Sequence, residues 1–318
     1  MLYSLTTFTR HKMSVTKFEP PNKLGEWDVE HKIGNGGCGR VYRAKRDGVT
    51  GAIKVVKQRS MVLPHKEINF AAMLDKETLC LNELERVQSP YLPQLYHPFT
   101  KSNDEWYFYV MELFPGGTLH DFVKNQQAPL SSSLVCAIGW RLLKCLQAIH
   151  EAGWFHLDVK PTNIVISDDP ARGIALIDFG LSLPHRYTVL CPRTGINGAF
   201  QFVASSVWRL ERESPRDDLE ALGFTMAWAL LGGKLPWTED SHDIIERKIK
   251  STRLPSVLGR KCKNMWIDTY LSSVRKLGVN DVPDYKQLLD LLAKEAGEEL
   301  EVLNWPRNPA KRTRIADD

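Results

Sequence analysis

No long apolar run, no paired-cysteine spacing and no dominant sign of charge occurs in this chain, and each absence closes a class of function. The most apolar stretch runs from Ala221 to Leu231 and stops at Gly232-Gly233-Lys234. A bilayer span needs about 20 apolar residues, so this stretch predicts a buried core helix and no membrane partner. The N-terminus lacks a basic stretch followed by an apolar run, so no secretory leader is expected. Six cysteines (Cys38, Cys80, Cys136, Cys145, Cys191 and Cys262) form no C-x-x-C pair. That predicts reduced thiols and an intracellular setting, in cytoplasm, nucleus or both. Forty-two Lys and Arg against 38 Asp and Glu leave +4, too small a surplus for a nucleic-acid or polybasic membrane binder. What is present, 43% apolar and 25% charged residues over 318 positions, suits a folded core and roughly two domains.

Residues 1–25 are polar and close on Pro20-Pro21-Asn22-Lys23, a lead-in arm. Short β-type runs broken by glycine follow, from Val29 to Ile33, Arg40 to Ala44 and Ala52 to Val56. Helical spacing of Leu74, Leu81 and Leu84 predicts a helix over 66–87, and the aromatic run Trp106 to Met111 predicts a strand. After Pro115-Gly116-Gly117 the pattern turns helical. Ser131 is placed to cap a helix that shows Leu134, Ile138, Leu142, Leu146 and Ile149 on one face and ends near Gly153. Further helices are expected over 217–231 and about 284–303. The expected organisation is an arm (1–25), a small strand-rich lobe (26–113), a larger helical lobe (114–300) and a flexible basic tail (301–318). Lys311-Arg312-Thr313-Arg314 in that tail fits a nuclear address, though a solvated tail is the plainer reading.

Chemistry is carried by three motifs. Gly34-Asn35-Gly36-Gly37-Cys38-Gly39-Arg40-Val41 is a G-x-G-x-x-G-x-V. Glycines let a backbone lie close over phosphates with N–H groups toward the oxygens. A strand-like run follows the glycines, which favours a β-hairpin flap over a strand-to-helix dinucleotide turn. Next, Lys54 sits in Ala52-Ile53-Lys54-Val55. A lysine on a buried-type strand is expensive unless it is paired with an anion. The strongest motif is His156-Leu157-Asp158-Val159-Lys160-Pro161-Thr162-Asn163 followed by Ile177-Asp178-Phe179-Gly180. Phosphoryl transfer needs a carboxylate for the hydroxyl proton (Asp158), a cation at the transferring group (Lys160) and oxygen ligands for Mg²⁺ (Asn163, Asp178). Asp178 lies fifteen residues past Asn163, room for a strand pair.

With these motifs in this order, the chain resembles the eukaryotic protein kinase family over about residues 26–296. The resemblance implies an α+β bilobal fold with ATP in the cleft under the flap (Gly34, Asn35, Gly36, Gly37, Cys38, Gly39). It implies Lys54 on the α/β-phosphates, Asp158 as base, and Asn163 and Asp178 on Mg²⁺. Met111-Glu112-Leu113-Phe114 becomes gatekeeper and hinge, and Ile33, Val41, Ala52 and Val165 sandwich the adenine. Ser214-Pro215-Arg216-Asp217-Asp218-Leu219-Glu220-Ala221-Leu222-Gly223-Phe224 is similar to the R-D-D-L-E-S-L-G-Y stretch of the casein kinase 1 and vaccinia-related kinase superfamily. Lys234-Leu235-Pro236-Trp237 and Pro283-Asp284-Tyr285-Lys286-Gln287-Leu288 fit that group too, and Gly198-Ala199-Phe200-Gln201-Phe202 stands where its members carry G-T-x-x-[YF]. By this resemblance Asp218 buttresses the catalytic loop, and Arg216 is either a holder of the substrate-side loop or a surface arginine.

Departures sharpen the expectations. Leu157 replaces the arginine that usually pairs with a phosphorylated activation loop, so activity without that phosphorylation is expected. His156-Leu157-Asp158-Val159-Lys160-Pro161 is also similar to the loop of Wee-type cell-cycle kinases, while Lys160 is typical of Ser/Thr kinases. Either Glu77 or Glu83 is the helix partner of Lys54. Glu77 is favoured because Cys80, Leu81 and Leu84 follow at i+3, i+4 and i+7. Cys38 reads as an incidental small residue rather than a redox switch. The expected function is an ATP- and Mg²⁺-dependent serine/threonine kinase acting on protein substrates as a monomer, with no sequence-specific nucleic acid. Rivals are a scaffold with the fold but no turnover, and a small-molecule phosphotransferase.

Overall fold

Side chains alternating across extended backbone build the first third of the molecule. The computed structural model describes residues 19–303 and 305, apart from 37, 38, 58, 59, 64, 65, 104, 191, 192, 194, 196, 197 and 238–253. Gly37 and Cys38 of the glycine loop, and the basic cluster of the tail, therefore lie outside the described residues. Strands β1 (Lys23–Leu24), β2 (Trp27–Asn35), β3 (Arg40–Arg46) and β4 (Val49–Lys57) run antiparallel in sequence. A hairpin of β5 (Ser60–Leu63) and β6 (Lys66–Asn69) leads into α1 (Phe70–Leu84). Then β7 (Leu95–Ser102) and β8 (Trp106–Glu112) complete a six-stranded sheet of order β1-β2-β3-β4-β8-β7. Period-two alternation sorts its faces. Trp27, Tyr42, Ile53, Val55, Phe108 and Val110 form a small core on one side. Ala52, Val56, Tyr109 and Met111 join the main core on the other.

Helix α1 begins four residues later than the periodicity suggested. Asn69 is extended, and its side chain accepts from the Ala72 amide at 3.1 Å, so the cap fixes the start at Phe70. Strand β7 was not anticipated, because Pro98 interrupts it; a proline is tolerated there since β7 is a sheet edge.

The second lobe is helical. After α2 (Leu119–Lys124), α3 (Ser132–Glu151) starts at Ser131, whose Oγ accepts from Leu134 N at 3.2 Å. It buries the whole apolar face expected of it. A membrane span's length and hydropathy are met by α3 among the described residues, yet 67% of that window is buried inside the fold. Short strands β9 (Trp154–Phe155), β10 (Ile164–Ile166), β11 (Ile174–Leu176) and β12 (Leu183–Pro184) lie under the sheet lobe and precede α4 (His185–Leu190) and α5 (Ser205–Trp208). Helix α6 (Pro215–Leu230) is buried from Asp217 onward. It crosses α3 at Gly139, where a Cβ would stand 2.3 Å from Met226 Sδ. Helices α7 (Leu254–Cys262), α8 (Met265–Arg275) and α9 (Tyr285–Ala296) close the lobe.

Two expected boundaries move. Lys23 and Leu24 belong to the sheet rather than to the arm, with Leu24 fully buried. At the other end, Leu303 and Trp305 do not belong to a free tail: Leu303 is buried, and the ring of Trp305 meets Phe122 edge-on at 4.8 Å. Arg141, inside α3, donates to the Leu300 carbonyl at 3.0 Å and holds this end of the chain down.

Leu142 sits at the centre of the α3 packing with no exposed surface. Leu142→Ala is expected to lower the unfolding free energy by about 2–5 kcal/mol through lost burial and the cavity left behind. Denaturant titration of the purified variant measures it.

Candidate active site

Strand β4 carries Lys54 into the interior, where it is 2% exposed. Its ammonium donates to Glu77 Oε1 and Oε2 at 2.9 and 2.7 Å and to Asp178 Oδ1 at 2.8 Å. Glu77 rides on the core face of α1 with no exposed surface, beside Leu74, Cys80, Leu81 and Leu84. It also accepts from the Tyr109 hydroxyl at 2.9 Å. Glu83 points elsewhere and accepts from Trp154 Nε1 at 2.7 Å. Of the two candidate glutamates, Glu77 therefore faces the lysine. Burial pushes the Glu77 carboxyl up, opposed by Lys54. Burial works the same way on Asp178, but the ammonium outweighs it and holds that carboxyl below its ordinary value.

The catalytic-loop motif is shaped from below by Asp218, near the start of α6. Its two oxygens accept the backbone amides of His156 and Leu157 at 2.8 and 2.7 Å, and His150 Nε2 lies 2.9 Å from Oδ2. Burial opposes its ionisation, yet these partners hold its pKa below the usual carboxylate value. His156 Nδ1 accepts from the Asp158 amide at 3.2 Å, so Nε2 carries the proton and faces the Ile177 carbonyl at 3.2 Å. Burial pushes the pKa of His156 down and keeps the ring neutral. On this support Asp158 Oδ2 accepts from Lys160 Nζ at 2.5 Å and from Asn163 Nδ2 at 2.9 Å.

The strand pair expected between Asn163 and Asp178 is the β10–β11 hairpin, and Ile177 N donates to Asn163 O at 2.8 Å. The two prospective metal ligands thereby stand on adjacent chain segments. Asp178 adopts φ +67°, a left-handed conformation that turns its carboxylate toward Lys54.

A cavity of 440 Å³ lies between the lobes. Its apolar walls include Ile33, Val41, Ala52, Met111, Leu113 and Val165, with Glu112 at the sheet end. Lys54, Glu77, Asn163 and Asp178 line its polar end, and Gly34, Asn35 and Gly36 close over it. At Gly36 a Cβ would stand 2.8 Å from Lys54 Cε, so the flap rests on the lysine only because the residue is glycine. Gly39 does not line the cavity; a Cβ there would stand 2.6 Å from the Val55 carbonyl oxygen. Asp158 and Lys160 lie beyond the cavity; Asp158 instead lines a 40 Å³ recess with Leu157, Val203 and Asp217. Asp178 and the Asn163 carbonyl oxygen are oxygen donors of the kind hard divalent cations take, and Asn163 spends its amide nitrogen on Asp158.

Tyr109 and Ile177 were not singled out from sequence. Strand alternation held the signal for Tyr109, which pairs with Lys54 across β4 and β8 and shares a face with Met111. Arg216 is not a surface arginine: it pairs with Glu211 and donates to the Leu277 carbonyl at 3.1 Å.

Glu77→Gln leaves Lys54 its Asp178 partner, so the fold is expected to survive with a loss of about 1–3 kcal/mol, the range for a damaged buried polar contact. Glu83→Gln is expected to cost less than about 1 kcal/mol, because the amide still accepts from Trp154. Chemical denaturation of the two variants side by side measures the order.

A protein kinase domain matches residues 27–294. The chain is 29% identical over 293 residues to the serine/threonine-protein kinase VRK2 of Homo sapiens, covering 84% of this chain and 56% of that protein. It is 28% identical over 234 residues to a putative casein kinase I of Caenorhabditis elegans, covering 70% of this chain and 65% of the relative. A probable serine/threonine-protein kinase of Bifidobacterium longum is 30% identical over 243 residues, 75% of this chain but 31% of the relative. The chain thus spans about half or less of two of these proteins. Among solved structures, vaccinia related kinase 3 superposes with a TM-score of 0.68 at 19% identity, covering 88% of this chain and 91% of that one. The chain belongs to the protein kinase family, and within it resembles the vaccinia-related and casein kinase I members.

Proposed function

We propose that the chain transfers the γ-phosphoryl group of ATP to serine and threonine hydroxyls of proteins. One observation carries the reading: Lys54, Asn163 and Asp178 meet at the polar end of one cavity, with Asp158 hydrogen-bonded to Asn163 at 2.9 Å. No member of the set that such chemistry needs is replaced, which disfavours a scaffold without turnover.

The apolar slot of Ile33, Val41, Ala52, Met111 and Val165 suits a planar base, and the chain past Glu112 supplies backbone polar groups at its edge. Lys54 is held by Glu77 where it meets phosphate oxygens, and it exchanges Asp178 for them. Asp178 and Asn163 are then the residues that would hold Mg²⁺ as oxygen ligands, and the ion would supply neutralising charge at the phosphates. Asp158 accepts the hydroxyl proton, and Lys160, 2.5 Å from it, brings positive charge to the transferring group. Lys160 supports a serine/threonine preference. We also place the protein inside the cell: Cys80, Cys136, Cys145 and Cys262 are buried free thiols. Burial pushes all four up, Cys262 to about 11, so they are unreactive core residues.

Lys54→Met, Asp158→Asn and Asp178→Asn are each expected to lower transfer from labelled ATP·Mg²⁺ to casein by at least about 100-fold, or 2.7 kcal/mol of barrier, with folded circular dichroism. Glu77→Gln is expected to cost about 10- to 100-fold in kcat/KM, roughly 1.4–2.7 kcal/mol. ATP binding without transfer to any protein supports the scaffold instead, and transfer only to small hydroxyl compounds the phosphotransferase. Wild-type turnover in Asp178→Asn contradicts the metal assignment.

A further inference from the structure

Position 157 is leucine, so it gives no cation to a phosphate on the segment that follows Asp178. The segment is nevertheless anchored, with the polarity reversed. Arg193, whose side chain is 4% exposed, donates from Nε to the Glu211 carbonyl at 2.9 Å and from Nη2 to Asp217 Oδ2 at 2.8 Å. Glu213 Oε1 lies 3.4 Å from the same Nε. Asp217 also accepts from the Ser206 hydroxyl, and Glu220, one turn along α6, accepts from Ser205 N at 2.8 Å. Burial pushes the Asp217 carboxyl up to about 7 against the opposing pull of Ser206 and Arg193. Without the guanidinium, two buried carboxylates lose their nearest cation; the next at Asp217, Arg216 Nε, is 3.9 Å away.

The anchor is adjacent to the chemistry. Asp217 precedes Asp218, which fixes the amides of His156 and Leu157, so segment and catalytic loop hang from consecutive residues of α6. Arg193, Leu157, Asp158 and Val203 line the same small recess.

We propose that Arg193 is a positioning residue that orders residues 198–213 against α6 and so sets the protein-substrate side of the site without phosphorylation of the segment. The proposal rests on the phosphoryl-transfer reading above. Arg193 acts through Asp217 and Glu213 and touches no reacting group.

Hydrogen exchange of the full chain and steady-state kinetics on the same samples test it, for wild type, Arg193→Ala, Arg193→Lys and the milder Glu213→Gln. In Arg193→Ala, exchange across residues 199–213 is expected to rise about tenfold or more. The KM for casein is expected to rise at least about tenfold while the KM for ATP stays within about twofold. Arg193→Lys is expected to recover part of both effects, and Glu213→Gln to move both in the direction of Arg193→Ala. Phosphatase treatment of the wild type is expected to change neither readout. Unchanged exchange in both Arg193→Ala and Glu213→Gln overturns the proposal. So does an equal rise of the two KM values, or a wild type that phosphatase inactivates. Altered exchange in a chain that phosphorylates no protein leaves the anchor standing and overturns the functional reading instead.

Discussion

A buried ammonium with two carboxylates on it sets the geometry of the cleft. Lys54 comes from the sheet, Glu77 from α1, and Asp178 from the chain after β11 in the large lobe. A cation 2% exposed is costly to leave unpaired, so the three elements reinforce one another's placement. The two acids respond differently because Glu77 is sealed, while the Asp178 side chain keeps 23% of its surface. In the function proposed above, Asp178 is the partner that Lys54 exchanges for a ligand, and Glu77 the one it keeps. Tyr109 also donates to Glu77 Oε1, so the carboxylate has little freedom to follow the lysine elsewhere.

A second fixed point lies at the start of α6. That helix is buried along nearly its whole length and is packed against α3 and α8. Asp218 uses this rigidity to hold two loop amides, and the neutral His156 passes the constraint on to the Ile177 carbonyl, one residue before Asp178. The loop bearing Asp158 and the segment bearing Asp178 are thus set relative to one another through the His156 imidazole and the Ile177–Asn163 backbone bond. The left-handed backbone at Leu157 and Asp178 is sustained by these bonds.

Much of this was legible in the chain, because the chemistry sits in contiguous motifs. The spacing of Cys80, Leu81 and Leu84 after Glu77 was enough to choose it over Glu83, since a helix face is a local property. Ser131 announced its helix for the same reason. Interactions that join distant segments left no local trace. Nothing around Arg193 indicates that it will meet Asp217, 24 residues on. The β5–β6 hairpin and the Asn69 cap were hidden within a run whose later half is strongly helical. Leu303 and Trp305 looked like tail because prolines and basic residues follow them, yet Phe122 and Gly173 offer them a surface that only the folded lobe creates.

The central claim is that Glu77 acts by holding Lys54 for a nucleotide phosphate. A double-mutant cycle on ATP·Mg²⁺ affinity, measured by calorimetry for wild type, Glu77→Gln, Lys54→Met and the double variant, tests it most directly. The account predicts that Glu77→Gln weakens affinity about tenfold in the wild-type background and has no further effect once Lys54 is methionine. Equal losses in both backgrounds would contradict it, because Glu77 would then act on the site by a route that does not pass through the lysine.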